Sequence, residues 1–332
     1  EEEQGKLFGV SEAMRGVVSA VTGFVFLWML GLFVDSVGGM QVLLWISVGL
    51  YVLFAVLSIV FLAKTEVKGS KQDGPQEKGM KLYTFEVGKD RIYWEESDLD
   101  YVMDIGFDLQ SSELAADHAA ALPWCYAAVG VHPHDAAAMT EEMLSAIRAL
   151  AAKPKVMAIG EIGLDFHYDH SPRDVQEYWF RRQIRLANEL KMPIVIHSRE
   201  ADQKTMDILT EEGAFSLERR SFFPKRKVTA ADGSITEEDD ARVLLHCFSG
   251  SSELGRQYVK LGATLSVAGP VTYKNNRKTV EVVEDIPISY LLVETDSPYL
   301  TPVPLRGRPN KPFYVEHTAR RLAEIKGMSY EE

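Results

Sequence analysis

Four apolar stretches of this 332-residue chain each end in a side chain of a type that binds metal ions. IVIH ends at His197 and VLLH at His246, while VMAIGE reaches Glu161 and LLVETD reaches Asp296. Apolar runs of this length are typical of buried parallel strands, which in a barrel deliver their C-terminal residues to one rim. One histidine at a strand end is more often an ordinary hydrogen-bonded residue. The four together predict a site for Zn²⁺, Mn²⁺ or Mg²⁺.

Other polar side chains are expected at the same rim. A carboxylate such as Glu161 can bridge two ions, and two ions can clamp an in-line displacement at phosphorus. His132 and Arg199 are predicted to hold a substrate phosphate or to orient a water, with a plain surface charge as the alternative for each. Asp165 is predicted to hold its own loop or a ligand histidine in place, without binding metal itself.

Strands and helices alternate from Asp98 to Glu332, and we count seven of each. Residues 215–240 are the exception and read as a long polar surface insertion. The helix from Arg173 is predicted to have Ser171 as its N-cap and Pro172 as its first residue. The alternation predicts either a parallel β/α barrel that lacks one unit or a seven-stranded open sheet. Ligands that arrive from many strands favour the barrel.

The N-terminal part of the chain differs from the rest in its pattern of apolar and charged residues. Residues 17–34 and 42–63 contain no charged side chain and are long enough to cross a bilayer, which predicts a transmembrane hairpin in a domain of residues 1–64. Cationic residues lie outside the hairpin, so both of its ends, and the catalytic domain after it, are expected in the cytoplasm. A buried helical hairpin is the alternative. Residues 65–97 read as a linker with a possible β-hairpin.

Composition excludes some functions and leaves others open. The net charge is −12, so a nucleic-acid substrate would have to be held by local arginines and by metal. The two cysteines, Cys125 and Cys247, lie in or beside apolar strand-like runs. We expect both to be reduced.

Five motifs, GVHPH, GEIGLD, IHSR, LHCFSG and ETDSPYL, occur in this order, and with them residues 98–332 resemble the TatD family of metal-dependent deoxyribonucleases. The resemblance implies a TIM-like barrel, two divalent metal ions and phosphodiester hydrolysis on DNA of the 3′-5′ exonuclease kind. It further implies that Glu161 bridges the ions and that His197 and His246 complete one metal site. Asp296 would belong to the other site and would activate the attacking water, which makes Glu161 and Asp296 the predicted catalytic residues. His132 would line the phosphate pocket.

The sequence also departs from that family. The family opens with a strand that carries an HxH motif, and residues 1–117 contain no histidine. Residues 1–70 resemble a fragment of a major-facilitator transporter instead, and the family pattern runs on beyond Glu332. The chain therefore reads as chimeric or truncated, with ligands retained for one ion and with impaired activity. We hypothesise that Lys81–Val87 fills the place of the missing first strand.

Three other functions are compatible with parts of the sequence. The barrel could be inactive and serve as a membrane-anchored binding or scaffold protein. It could hydrolyse amides or lactones, although such barrels often bridge their metals with a modified lysine where Glu161 stands here. A transporter is the least compatible, because two spans cannot form a substrate path. The oligomeric state does not follow from the sequence.

Overall fold

The protein is described by a computed structural model that covers residues 99–229 and 234–330, together with the backbone of two strands at 82–87 and 90–95. The predicted transmembrane hairpin and most of the predicted linker lie outside the described residues, and the hairpin stays a prediction. Within the part of the chain that is described, no helix is both long enough and apolar enough to cross a membrane.

The described strands are short and fall into three sheets. In chain order they are β1 (Leu82–Val87), β2 (Asp90–Glu95), β3 (Val102–Ile105), β4 (Cys125–Val129), β5 (Val156–Asp165), β6 (Ile194–Arg199), β7 (Arg226–Thr229), β8 (Ile235–Glu238), β9 (Val243–Leu245), β10 (Thr264–Val267) and β11 (Leu291–Val293). The main sheet has seven parallel strands in the order β11-β10-β9-β6-β5-β4-β3. Its strands therefore neighbour each other in the order of the chain, which is the order that a β/α barrel requires.

Helices alternate with these strands. They are α1 (Leu109–Ala121), α2 (Glu141–Ala151), α3 (Arg173–Leu190), α4 (Asp202–Glu211), α5 (Leu217–Arg220), α6 (Ser252–Lys260), α7 (Arg277–Asp285) and α8 (Val315–Lys326). The seven predicted strand-helix pairs are confirmed, with ends that differ from the prediction mostly by one or two residues. The four-residue helix α5 lies in the insertion between α4 and β9.

Two apolar layers hold the sheet. One packs the sheet against its helices, and there Ile159 and Ile194 from the strands and Ile184 from α3 are fully buried. The other layer is smaller and lines the opposite face of the sheet, where Ala128, Ala158 and Val195 pack together. Small side chains on that face fit the inside of a barrel that curls tightly.

β5 is longer than the sequence predicts. The apolar run ends at Ile159, yet the strand continues to Asp165 alongside β6. Gly163 explains the continuation, since its φ of 149° is a conformation that side chains avoid and a Cβ there would meet the His197 carbonyl oxygen at 1.9 Å. The glycine therefore lets β5 and β6 run together up to the rim, where Glu161 and His197 lie.

The insertion is more ordered than expected. β7 and β8 form an antiparallel hairpin of their own, and the buried guanidinium of Arg219 joins the segment to the barrel. Arg219 donates to the carbonyl oxygens of Ala241 and Met192 and to the side-chain oxygen of Asn188. Burial lowers the pKa of Arg219 to about 10, so the side chain stays charged at neutral pH. The prediction of an irregular loop was therefore wrong for this part of the insertion.

Two further expectations need correction. β1 pairs with β2 in a separate two-stranded sheet, so Lys81–Val87 does not fill the place beside β3. β3 and β11 are the two edges of the main sheet, and neither pairs with any other described strand on its outer side. Ser171 is not the N-cap of α3; Pro172 holds that position without a side-chain hydrogen bond. The Ser171 hydroxyl instead donates to the carbonyl oxygen of His134 and accepts from the N–H of Ala137.

Candidate metal centre

The first half of the centre is built by β5 and β6. The Nδ1 atom of His197 lies 2.9 Å from the Oε1 atom of Glu161, and the Nε2 atom of His132 lies 3.8 Å from the same oxygen. Ligand atoms of His132, Glu161 and His197 all lie within 4.8 Å of one another. This spacing allows a single cation to be shared by members of the group.

Asp165 supports this half of the centre through hydrogen bonds. Its side chain is fully buried and its Oδ2 atom lies 2.8 Å from Nε2 of His134 and 3.1 Å from Nε2 of His197. The Oδ1 atom accepts from the backbone N–H groups of His167 and Tyr168. Asp165 thus holds both a ligand histidine and its own loop, in the manner predicted. Because Asp165 occupies Nε2 of His197, the Nδ1 atom is left to face Glu161 and a shared cation.

The second half comes from β9 and the segment after β11. The Nε2 atom of His246 lies 3.2 Å from Oδ1 of Asp296, and its Nδ1 atom lies 2.7 Å from Oε2 of Glu294. Glu294 in turn accepts from the hydroxyl of Ser266 on β10. The imidazole of His246 is thus flanked by two carboxylates, Glu294 at Nδ1 and Asp296 at Nε2.

Electrostatics link the two halves. Burial by itself raises the pKa of Glu161, but the imidazoles of His246, His197 and His132 hold it down, to about 2. Burial lowers the pKa of His197 and of His246, yet the surrounding carboxylates raise both above their usual value. For His246 the largest favourable contributions come from Glu294 and Glu161. The centre therefore favours positive charge, and a donor set of carboxylates and oriented imidazoles fits a divalent cation.

His132 differs from the other two imidazoles. Its Nδ1 atom accepts the backbone N–H of His134 at 3.2 Å and caps the short 3₁₀ helix Pro133–Ala138. Burial lowers the pKa of His132 to about 3, so the ring is neutral. A neutral imidazole that accepts at Nδ1 carries its proton at Nε2, and that atom is then a donor without a lone pair for a metal. His132 therefore fits the predicted role of a phosphate donor better than that of a ligand.

Arg199 lies at the end of β6, opposite Asp165 in the register of the two strands. Its guanidinium is exposed and lies 4.6 Å from the centre of the Tyr168 ring. The structure thus brings His132, Glu161 and His197 within 4.8 Å of one another. His246 contacts Asp296 and interacts electrostatically with Glu161, and Arg199 lies at the margin.

Sequence reasoning missed the supporting role of Glu294. The signal was present, because Glu294 stands two residues before Asp296 in the run LLVETD. Both residues come within three positions of the end of β11, so both carboxylates could have been expected at the rim. The part played by His134 follows only from its tertiary contact with Asp165.

The cysteines lie where the sequence predicts. Both are free thiols; Cys125 is buried, and Cys247 follows the ligand His246. Burial raises the pKa of Cys125 to about 11 and raises that of Cys247 further, so both stay protonated at neutral pH. A protonated thiol is a poor metal ligand and a poor nucleophile, which leaves the centre to imidazoles and carboxylates.

Fold and site together define a metal-dependent hydrolase built on an α/β barrel, whose described strands leave β3 and β11 as edges. A model of the TatD related DNase family matches residues 85–332. The chain belongs to this family. The family resemblance that five short motifs indicated is thereby confirmed.

Individual relatives agree. An uncharacterized metal-dependent hydrolase of Bacillus subtilis, YabD, is 44% identical over 228 residues, which is 69% of this chain and 80% of that protein. The 3′-5′ ssDNA/RNA exonuclease TatD of Pantoea vagans is 34% identical over 216 residues, 63% of this chain and 73% of that one. The crystal structure of the TatD homolog YJJV from Escherichia coli superposes with a TM-score of 0.59 at 24% identity, over 70% of this chain and 81% of that chain. This last likeness concerns the fold.

Proposed function

We propose that this protein hydrolyses phosphodiester bonds of DNA, releasing nucleotides from a 3′ end. The observation that carries the proposal is the pair of oriented histidines, His197 and His246, each held by a buried or half-buried carboxylate and each facing an acidic ligand. A relative of this chain bears the name of a 3′-5′ exonuclease, which supports this choice of substrate.

The residues divide into ligands and substrate contacts. Glu161, His197, His246 and Asp296 would hold the divalent metal, with Glu161 between the two halves. When bound, a divalent ion supplies Lewis acidity toward a phosphoryl oxygen and makes a coordinated water more acidic. Asp296 is 36% exposed at its side chain and can accept a proton from a water molecule at the mouth of the centre. The His132 Nε2–H would donate to a phosphate oxygen, and Arg199 would pair with the phosphate from the margin.

Activity is expected to be low. The two histidines with which the family opens have no counterpart before residue 118 of this sequence. The predicted ligands would serve one ion, with only Glu161 and Asp296 left toward a second. The inactive, membrane-anchored scaffold has no support among the described residues or the relatives, and its membrane part concerns residues outside the described range.

Metal titration and a nuclease assay test the proposal together. The whole chain, freed of metal, would be titrated with Mn²⁺ and Zn²⁺ by calorimetry and then incubated with single-stranded DNA labelled at either end. We expect at least one ion per chain and slow release of mononucleotides from the 3′ end. Glu161→Gln should abolish both, whereas Asp169→Asn, a change on the exposed rim, should abolish neither. Release of product from amide or lactone substrates, with none from DNA, would contradict the proposal.

A further inference from the structure

Beside the metal centre, the loop after β5 carries exposed rings, and Arg199 at the end of β6 lies against one of them. Tyr168 and His170 lie nearly parallel, with an angle of 4° between their planes and 5.5 Å between their centres. The guanidinium of Arg199 lies 4.6 Å from the Tyr168 ring. We refer to Tyr168, His170 and Arg199 as the rim cluster.

The rim cluster is exposed, although its rings are large. Tyr168 keeps 50% of its surface open, and His170 and Arg199 are exposed as well. Among residues 99–229 and 234–330 no carboxylate lies within ion-pair distance of Arg199, so its N–H groups are available to an anion. The nearby carboxylates are engaged elsewhere, since Glu200 pairs with His167 and Asp169 with Arg173.

The cluster is held in place by the same residue that orients the metal centre. Asp165 accepts from the backbone N–H of Tyr168, and Arg173 fixes the loop through Asp169 and the carbonyl oxygen of Phe166. A platform that is ordered before its ligand arrives loses less entropy when it binds.

The cluster is also continuous with the centre. The ring of His132 lies 4.4 Å from that of His134, and the ring of His134 lies 4.7 Å from that of His170. Two ring contacts thus lead from the predicted phosphate donor to the platform. A nucleotide whose phosphate meets His132 has its neighbouring base within reach of these rings.

We propose that the rim cluster is a nucleobase subsite, in which an unpaired base stacks on the Tyr168–His170 pair while Arg199 contacts the adjoining phosphate. Base faces are available for such stacking only where they are not already stacked in a duplex, and stacking on aromatic rings tolerates any base. The subsite therefore selects single-stranded or frayed ends without selecting sequence. This inference rests on the proposed nucleic-acid substrate and adds the residues that would hold an unpaired base.

Binding in the presence of EDTA tests the subsite without cleavage. The probes are a fluorescein-labelled oligothymidylate and the same oligonucleotide with abasic positions, read by fluorescence anisotropy. We expect the parent chain to bind the oligothymidylate more tightly than the abasic probe. Tyr168→Ala should weaken oligothymidylate binding by about fivefold or more and leave the abasic probe nearly unchanged, because one stacked base is lost.

Two variants control for loss of structure. Tyr168→Phe keeps the ring and should bind like the parent. Tyr178 on α3 is also 50% exposed and also lies beside an arginine, Arg182, so Tyr178→Ala removes a comparable ring outside the cluster. It should bind like the parent. Equal affinity of Tyr168→Ala and the parent, or equal affinity of the parent for both probes, would overturn the subsite and leave the nuclease proposal standing. A parent chain that binds neither probe in EDTA would also overturn the subsite, whereas the nuclease proposal is tested separately by the metal titration and the cleavage assay.

Discussion

Asp165 and His197 lie on neighbouring strands, and the carboxylate of the first meets Nε2 of the second at 3.1 Å. Although burial alone raises the pKa of Asp165, hydrogen bonds from His197, Tyr168 and His134 hold that pKa well below its usual range. The carboxylate is therefore always charged at neutral pH. The Asp165 carboxylate fixes which nitrogen of His197 faces Glu161, and in this way it orients a candidate metal ligand.

The first prediction concerns this support. Asp165→Asn should weaken Zn²⁺ or Mn²⁺ binding by about tenfold to a hundredfold, because a neutral amide holds His197 less firmly and lowers its basicity. Calorimetric titration measures the affinity, and circular dichroism verifies the fold. Asp169→Asn is the matched control: it lies on the same loop but pairs with Arg173 at the surface. Unchanged metal affinity in a folded Asp165→Asn variant would contradict the assigned role.

The second prediction separates two roles of His132. If its Nε2–H donates to phosphate, His132→Ala should leave metal affinity within about twofold of the parent. Oligonucleotide binding should weaken by about tenfold or more, since hydrogen bonds to charged groups contribute about 1.5–3 kcal/mol. His197→Ala, measured beside it, should lose metal binding. A comparable loss of metal affinity in His132→Ala would show that His132 is a ligand and that its protonation was assigned wrongly.

The third prediction concerns acid stability. Glu212, at the end of α4, is almost covered and lies 2.6 Å from Arg185 and 3.1 Å from Arg181. Its bonds to Arg185, and then to Arg181, lower its pKa. A carboxyl whose pKa is lowered in the folded state stabilises that state above its unfolded pKa of 4.5. This contribution disappears as the pH falls through the folded value.

Glu212→Gln should therefore lower the free energy of unfolding at pH 7 by about 1–2 kcal/mol. The difference from the parent should shrink below pH 4.5, the unfolded value, where the parent carboxyl takes up its proton. Urea titrations across that range measure both quantities. Glu211→Gln removes a more exposed partner of Arg181 and should cost less. A difference that is constant with pH would argue against the ion pairs as its cause.

The fourth prediction follows from the open edges of the main sheet. Met103 on β3 and Leu292 on β11 are 43% and 51% exposed, on strands that pair with described neighbours on one side only. Exposed apolar edges promote pairing between copies. Met103→Lys and Leu292→Lys should each reduce self-association in light scattering at rising protein concentration. Met157→Lys changes a similarly exposed methionine, 47%, on the central strand β5 and should have less effect. Equal effects of all three would indicate a general charge effect.

The sequence alone determined the order of strands and helices, and it named the four candidate metal ligands. The physical reason is local: apolar runs that end in a ligand residue predict both the strand and the rim to which it delivers its last side chain. His197 lies within β6, His246 follows β9 directly, and Asp296 comes three residues after β11. The helices were recognisable for the same reason, since the residues of an apolar helix face lie close together in the chain.

Only the tertiary structure decided how those ligands are oriented. Which nitrogen of His132 carries its proton depends on a backbone N–H, and the orientation of His246 depends on Glu294 and Ser266 from other strands. Ser171 would cap α3 by local rules, yet it binds His134 and Ala137, because contacts between distant segments outweigh a single local hydrogen bond. The sequence names the groups that meet at the rim. Their protonation, their partners and the stacked pair Tyr168–His170 depend on atoms that approach each other only when the sheet has formed.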